Sequence, residues 1–166
     1  MNDNLKAPIA VGTKAPDFSA PGDQGELTTL SKLTNGRAVL LIFYPQDWGW
    51  VCRNEILEFQ NRQEDFEEIG VRLVGLSTNL VVSHGVWSEH LNLKFTLISD
   101  PPGHIAEAYG VLDTNDDSFN KGRSKRALIL IDREMIIRYV WVTEDPWLEP
   151  DYDSILNACS EILENS

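Results

Sequence analysis

Seven apolar residues follow one another without a break, Ala38-Val39-Leu40-Leu41-Ile42-Phe43-Tyr44, and Pro45 stops them. A strand that is apolar on both sides must be covered on both faces. The run therefore predicts the centre of a sheet lying between helices. An irregular turn follows, and the period then changes. Cys52, Ile56, Phe59, Gln63, Phe66 and Ile69 recur at three and four residues, which predicts one amphipathic helix closed by Gly70. Residues 71–77 read as a second buried strand. Asn79 is placed to cap a helix ending near His90 or Leu91, and residues 95–99 read as a third strand. A short helix over 105–109 ends at Gly110, and the polar stretch 113–125 is a loop. Segments 127–131 and 136–142 flank Asp132-Arg133-Glu134 and predict a hairpin. Residues 151–163 form a last helix, with Ile155, Leu156, Cys159, Ile162 and Leu163 on one face.

Upstream of the long run, Pro8 and Pro16 keep residues 1–16 a loose lead-in. Residues 17–20 read as an edge strand, with a turn at Gln24-Gly25-Glu26 between hairpin arms. Alternating strands and helices imply one α/β domain over 1–166. Its mixed central sheet carries helices on both faces, with a β extension at the N-terminus. A chain of 166 residues is long enough to bury a full core without disulfide or metal.

The formal charge of −12 argues against nucleic acid and anionic membrane surfaces as partners. No stretch has the ~18 consecutive apolar residues of a membrane span. The first residues lack the basic start and apolar run of a secretory signal. The two cysteines, Cys52 and Cys159, form no CxxC pair, which suits a reducing compartment and a cytoplasmic location.

Cys52 follows a buried strand and a turn and opens a helix. Unpaired N–H groups and the helix dipole there favour thiolate, the nucleophilic form. The competing reading is an inert buried cysteine, the commoner fate of a free thiol. Phe43-Tyr44-Pro45-Gln46-Asp47-Trp48-Gly49-Trp50-Val51-Cys52 resembles the active-site segment of the peroxiredoxins, the alkyl hydroperoxide reductase and thiol-specific antioxidant family. Similarity extends to Val11-Gly12-Thr13-Lys14-Ala15-Pro16-Asp17-Phe18, Leu97-Ile98-Ser99-Asp100, Ala108-Tyr109-Gly110-Val111 and residues 126–138. The nearest resemblance is to the one-cysteine alkyl hydroperoxide reductase E-like or bacterioferritin-comigratory branch.

The resemblance implies a thioredoxin-like fold and reduction of hydrogen peroxide or small organic hydroperoxides. It makes Cys52 the attacking residue, oxidised to a sulfenic acid, with Pro45 as its shield. It also makes Arg126 the cation that supports the thiolate and polarises the peroxide, lowering the Cys52 pKa below its free value. No metal, haem or flavin is implied. Some members of the branch carry a resolving cysteine five residues after the first, where this chain has Leu57. An external thiol or thioredoxin-like protein is thus the expected reductant, and a homodimer is compatible with the family.

The family motif is Pro-x-x-x-Thr/Ser-x-x-Cys, and here its hydroxyl position is Gly49. That departure keeps a second reading open, a non-enzymatic thioredoxin-fold binding protein. A thiol–disulfide oxidoreductase is weaker, because there is no CxxC. Gly49 and Glu55 are the candidate substrate-binding positions. Glu55 is either a supporting residue or a solvated helix charge. Trp48 and Trp50 either wall the pocket or pack the turn. Cys159 reads as a core residue, and His84, His90 and His104 as surface or helix-face residues. Asp113, Asp116 and Asp117 resemble a calcium loop only in composition, lacking the Gly and closing Glu of that motif.

Overall fold

A computed structural model describes residues 7–165. The N-terminal hairpin pairs β1 (Ser19–Pro21) with β2 (Leu27–Thr29) antiparallel. A helical turn follows, α1 (Leu30–Leu33), whose N-cap Thr29 accepts from the Lys32 N–H. The long apolar run is β3 (Ala38–Phe43), buried along its whole length. Next come α2 (Trp50–Asn61), α3 (Gln63–Glu68), β4 (Val71–Ser77) and α4 (Val81–Leu91). The rest is β5 (Leu97–Ser99), α5 (His104–Ala108), β6 (Arg126–Ile131), β7 (Ile137–Thr143) and α6 (Tyr152–Glu164).

The main sheet has the order β5-β4-β3-β6-β7. β3, β4 and β5 are parallel, while β6 runs antiparallel to β3 and β7. Alternation along β3 sorts the core into two layers. Val39, Leu41 and Phe43 pack with Leu30, Leu33, Ile105 and Tyr109 on one face. Leu40, Ile42 and Tyr44 pack with Ile56, Phe59, Phe66, Trp87 and Ile155 on the other. The mixed sheet covered on both sides agrees with the sequence reading.

Several local expectations change. The helix expected through 69 breaks at Arg62, where φ is −107° and ψ 6°. Arg62 Nη1 bonds Glu58 at 2.6 Å, Nε bonds Asp153 at 2.9 Å, and the guanidinium covers the Tyr152 ring. Asn79 is not a helix cap: α4 is capped at Leu80. The Asn79 side-chain oxygen instead accepts from the Asp47 N–H and the Ser77 hydroxyl. β5 is shorter than expected, and α1 had no counterpart in the sequence reading. Residues 1–6 of the expected lead-in lie outside the described residues. Among the described residues no helix is long and apolar enough to cross a membrane.

Candidate active site

Pro45 cannot extend the ladder, and the chain turns over Pro45, Gln46, Asp47, Trp48 and Gly49 before α2 starts. Gly49 is the N-cap, and its carbonyl accepts from the Arg53 N–H at 2.8 Å. Cys52 is therefore in the first turn, as expected, and is 3% exposed. Arg126 arrives from across the sheet. The antiparallel register sets Ala127 opposite Phe43, so Arg126 stands beside the end of β3 where the turn begins. Its Nη2 donates to Cys52 Sγ at 3.5 Å and its Nη1 to Glu55 Oε1 at 2.9 Å. Pro146 O accepts from Nη2 at 2.8 Å and fixes the guanidinium from behind.

Glu55 is fully buried, so the solvated-charge reading is wrong. One helical turn from Cys52, it faces inward because α2 lies against the sheet there. Burial, opposed by the Arg126 charge, pushes its carboxyl up to about 7, and its Oε2 has no hydrogen-bond partner. The expected depression of the Cys52 pKa also needs correction. Burial pushes the thiol up from its ordinary value, and Arg126 and the Gln46 N–H recover only part of that. The Glu55 charge pushes in the same direction as burial. The Arg126 guanidinium is itself discouraged by burial, but the Glu55 and Cys52 charges outweigh this and hold its pKa above the usual value.

A pocket of about 180 Å³ opens onto this group, lined among others by Pro45, Gly49, Trp50, Phe119 and Trp147. Trp50 is 85% exposed at its mouth. Trp48 packs the turn instead, its ring 6.3 Å from Trp87 and 5.4 Å from His90. A larger cavity of about 350 Å³, with Arg37, Asp132 and Arg138 in its wall, includes none of the candidate site residues. Gly49 has φ −66° and ψ 141°, ordinary extended backbone. A Cβ there would stand 3.3 Å from Cys52 Sγ.

Cys159 is a core residue on α6, and burial pushes its thiol up to about 12. His90 and His104 are exposed, but His84 is fully buried, against expectation. The signal was present: His84, Trp87, Ser88 and Leu91 share one buried stripe of α4. In the 113–125 loop, Asp113 accepts from the Asn115 N–H and Ser118 hydroxyl, and Asp116 pairs with Lys121. Phe119, Pro146 and Trp147 were not found from the sequence, because only the fold carries their loops to Cys52.

This is a thioredoxin-like fold presenting one buried thiol, one arginine and one carboxyl at the end of its central strand. Residues 11–140 match the AhpC/TSA family. A peroxiredoxin bcp of Coxiella burnetii is 37% identical over 80% of this chain and 88% of its own. Peroxidoxin BcpB of Mycobacterium tuberculosis superposes with TM-score 0.80 at 25% identity, covering 95% of this chain and 97% of that one. The reduced 2-Cys peroxiredoxin of Plasmodium vivax gives 0.83 at 31%, over 95% and 84%. The chain belongs to the AhpC/TSA family, the peroxiredoxins, and is of the bacterioferritin-comigratory type. Its activity is thiol-dependent reduction of peroxide, and nothing favours the non-enzymatic alternative.

Proposed function

We propose that this chain, acting as one domain, reduces hydrogen peroxide or small organic hydroperoxides at Cys52. The observation that carries the assignment is the Arg126 guanidinium 3.5 Å from the Cys52 sulfur, in a pocket open to solvent. The Cys52 thiolate attacks the nearer peroxide oxygen. An S–O bond forms, the O–O bond breaks, and sulfur loses the two electrons that the peroxide gains. The leaving oxygen takes a proton and departs as water or an alcohol, and Cys52 becomes a sulfenic acid. Arg126 stabilises the thiolate and the charge developing on that oxygen. Pro45 shields the sulfur from one side, Glu55 orients Arg126, and the backbone at Gly49 borders the peroxide.

An external thiol, small or on a thioredoxin-like protein, attacks the sulfenic sulfur and releases water. A second thiol then frees Cys52 and leaves as the disulfide. The exposed aromatic rim at Trp50, Phe119 and Trp147 is the surface on which such a reductant, or a second copy in a homodimer, meets the pocket. Free cysteines of this kind fit the cytoplasm. Stopped-flow mixing of reduced protein with hydrogen peroxide, followed by tryptophan fluorescence, tests the assignment. One phase whose rate is linear in peroxide is expected, and it disappears in Cys52→Ser. Peroxide consumption that survives in Cys52→Ser would sink it.

A further inference from the structure

Behind the cysteine turn lies a buried polar cluster that the chemistry above does not use. Asp47, in the middle of the turn, is 5% exposed, and His84, on α4, is 0% exposed. The carboxylate accepts from Tyr44 Oη at 2.7 Å and from Ser83 Oγ at 2.8 Å. His84 Nδ1 lies 2.7 Å from Asp47 Oδ2 and 2.9 Å from Oδ1, while its Nε2 faces Ile98 O at 3.1 Å. Each ring nitrogen thus meets an acceptor. Through these contacts the ring ties the turn to β5. A buried carboxylate needs this much company, since an unpaired one is strongly disfavoured.

The cluster joins the end of β3, the turn, α4 and β5. Asp47 also donates its own N–H to Asn79 Oδ1 at 2.8 Å. Its two neighbours show what it holds. On one side, Gln46 lines the pocket together with Cys52, and its N–H favours the thiolate. On the other, Trp48 sits at φ 66°, a left-handed conformation that a bulky residue keeps only where its surroundings impose it. The turn is therefore held in an unfavourable shape, and that shape sets Pro45 and Gln46 beside Cys52 in the pocket wall.

We propose that His84 is a positioning residue: through Asp47 it holds the turn so that Pro45 and the Gln46 N–H stay against Cys52. The role in peroxide reduction rests on Cys52 being the nucleophile, whereas its effect on the reactivity of the sulfur does not. Two quantities are read at 25 °C in a Cys159→Ser background: the rate constant with hydrogen peroxide, and the pH midpoint of Cys52 alkylation by iodoacetamide.

In His84→Leu the peroxide rate should fall about ten- to a hundredfold, the scale of a displacement near 1 Å. The alkylation midpoint should rise as the Gln46 donor drifts away. His84→Asn restores an N–H toward Asp47 and should recover most of both. A folded His84→Leu protein with the parent rate and midpoint overturns the proposal, leaving His84 as core packing. If His84→Leu does not fold, Asp47→Asn keeps the shape of the side chain and removes the charge. It should shift both readings the same way, and parent values in a folded Asp47→Asn protein likewise overturn the proposal. A midpoint that depends on His84 in a protein that consumes no peroxide supports the positioning and refutes the role of Cys52 instead.

Discussion

Gly49 caps α2 with ordinary dihedrals, so a side chain there meets no backbone strain. A Thr Cβ would sit 3.3 Å from Cys52 Sγ, which asks the sulfur to yield by a few tenths of an ångström. Its hydroxyl would then lie beside the sulfur and the peroxide oxygens. A hydrogen bond to a charged partner contributes ~1.5–3 kcal/mol, so Gly49→Thr should raise the peroxide rate constant about ten- to a hundredfold. The melting temperature should hold or rise slightly, since Thr and Gly are nearly equal as caps. An unchanged rate with an unchanged melting temperature would show that the missing hydroxyl has no role to fill here. Glu55 gives a second test. Its charge opposes the Cys52 thiolate, so Glu55→Gln should lower the pH midpoint of Cys52 alkylation. The stability test has a definite sign. Folding raises the Glu55 pKa from 4.5 to about 7, so its contribution is complete below 4.5 and is lost as pH rises through 7. Chemical denaturation across that window should show a decline in the parent protein that is smaller in Glu55→Gln.

At the scale of elements, Arg62 does what the apolar stripe could not announce. The stripe from Cys52 to Ile69 is continuous, and no Pro or Gly interrupts it. The break comes from α6, whose first turn presents Tyr152 and Asp153 to the Arg62 guanidinium. Arg62→Ala should therefore loosen α6. A partly exposed ion pair and a cation–π contact together contribute about 1 kcal/mol, or roughly 2–4 °C in melting temperature. The peroxide rate should not change, and a large loss of rate would mean that α6 reaches the site. The same contrast explains what was legible. β3 and β4 could be read because burial on both faces leaves an unbroken apolar run. α1 is four residues long and too short to show a period. Cys52 could be read from strand, turn and helix, all local. Arg126 came only through family resemblance, because its placement depends on the register of β6 against β3, which local sequence does not encode. His84 was misplaced because an imidazole on an apolar stripe reads as a boundary residue until its partner Asp47 is known.

For the whole molecule, the question is how the oxidised protein is restored. Cys52 and Cys159 belong to the same apolar layer beneath the sheet, and both are free thiols. Sharing a layer does not make them a redox pair. Resolution needs a thiolate, and burial pushes Cys159 up to about 12, so at neutral pH it carries its proton. A disulfide also requires the two Cα atoms to approach within ~7 Å, and Cys159 is fixed in the core by α6. An outside thiol meets neither obstacle, although a net charge of −12 disfavours an anionic one. One equivalent of peroxide should thus leave a single added oxygen on Cys52, trappable by dimedone and visible by mass spectrometry. Cys159→Ser should keep turnover with 2-mercaptoethanol and lose some thermal stability, because a hydroxyl replaces sulfur in an apolar layer. The Cys159 contribution to stability should also vanish at high pH, being complete below the ordinary thiol value of 9 and lost as pH rises toward 12. Recovery of a Cys52–Cys159 disulfide as the main oxidised product, with turnover lost in Cys159→Ser, would refute this account. It would require α6 to leave the sheet in every cycle, which hydrogen exchange in α6 during peroxide turnover would detect directly.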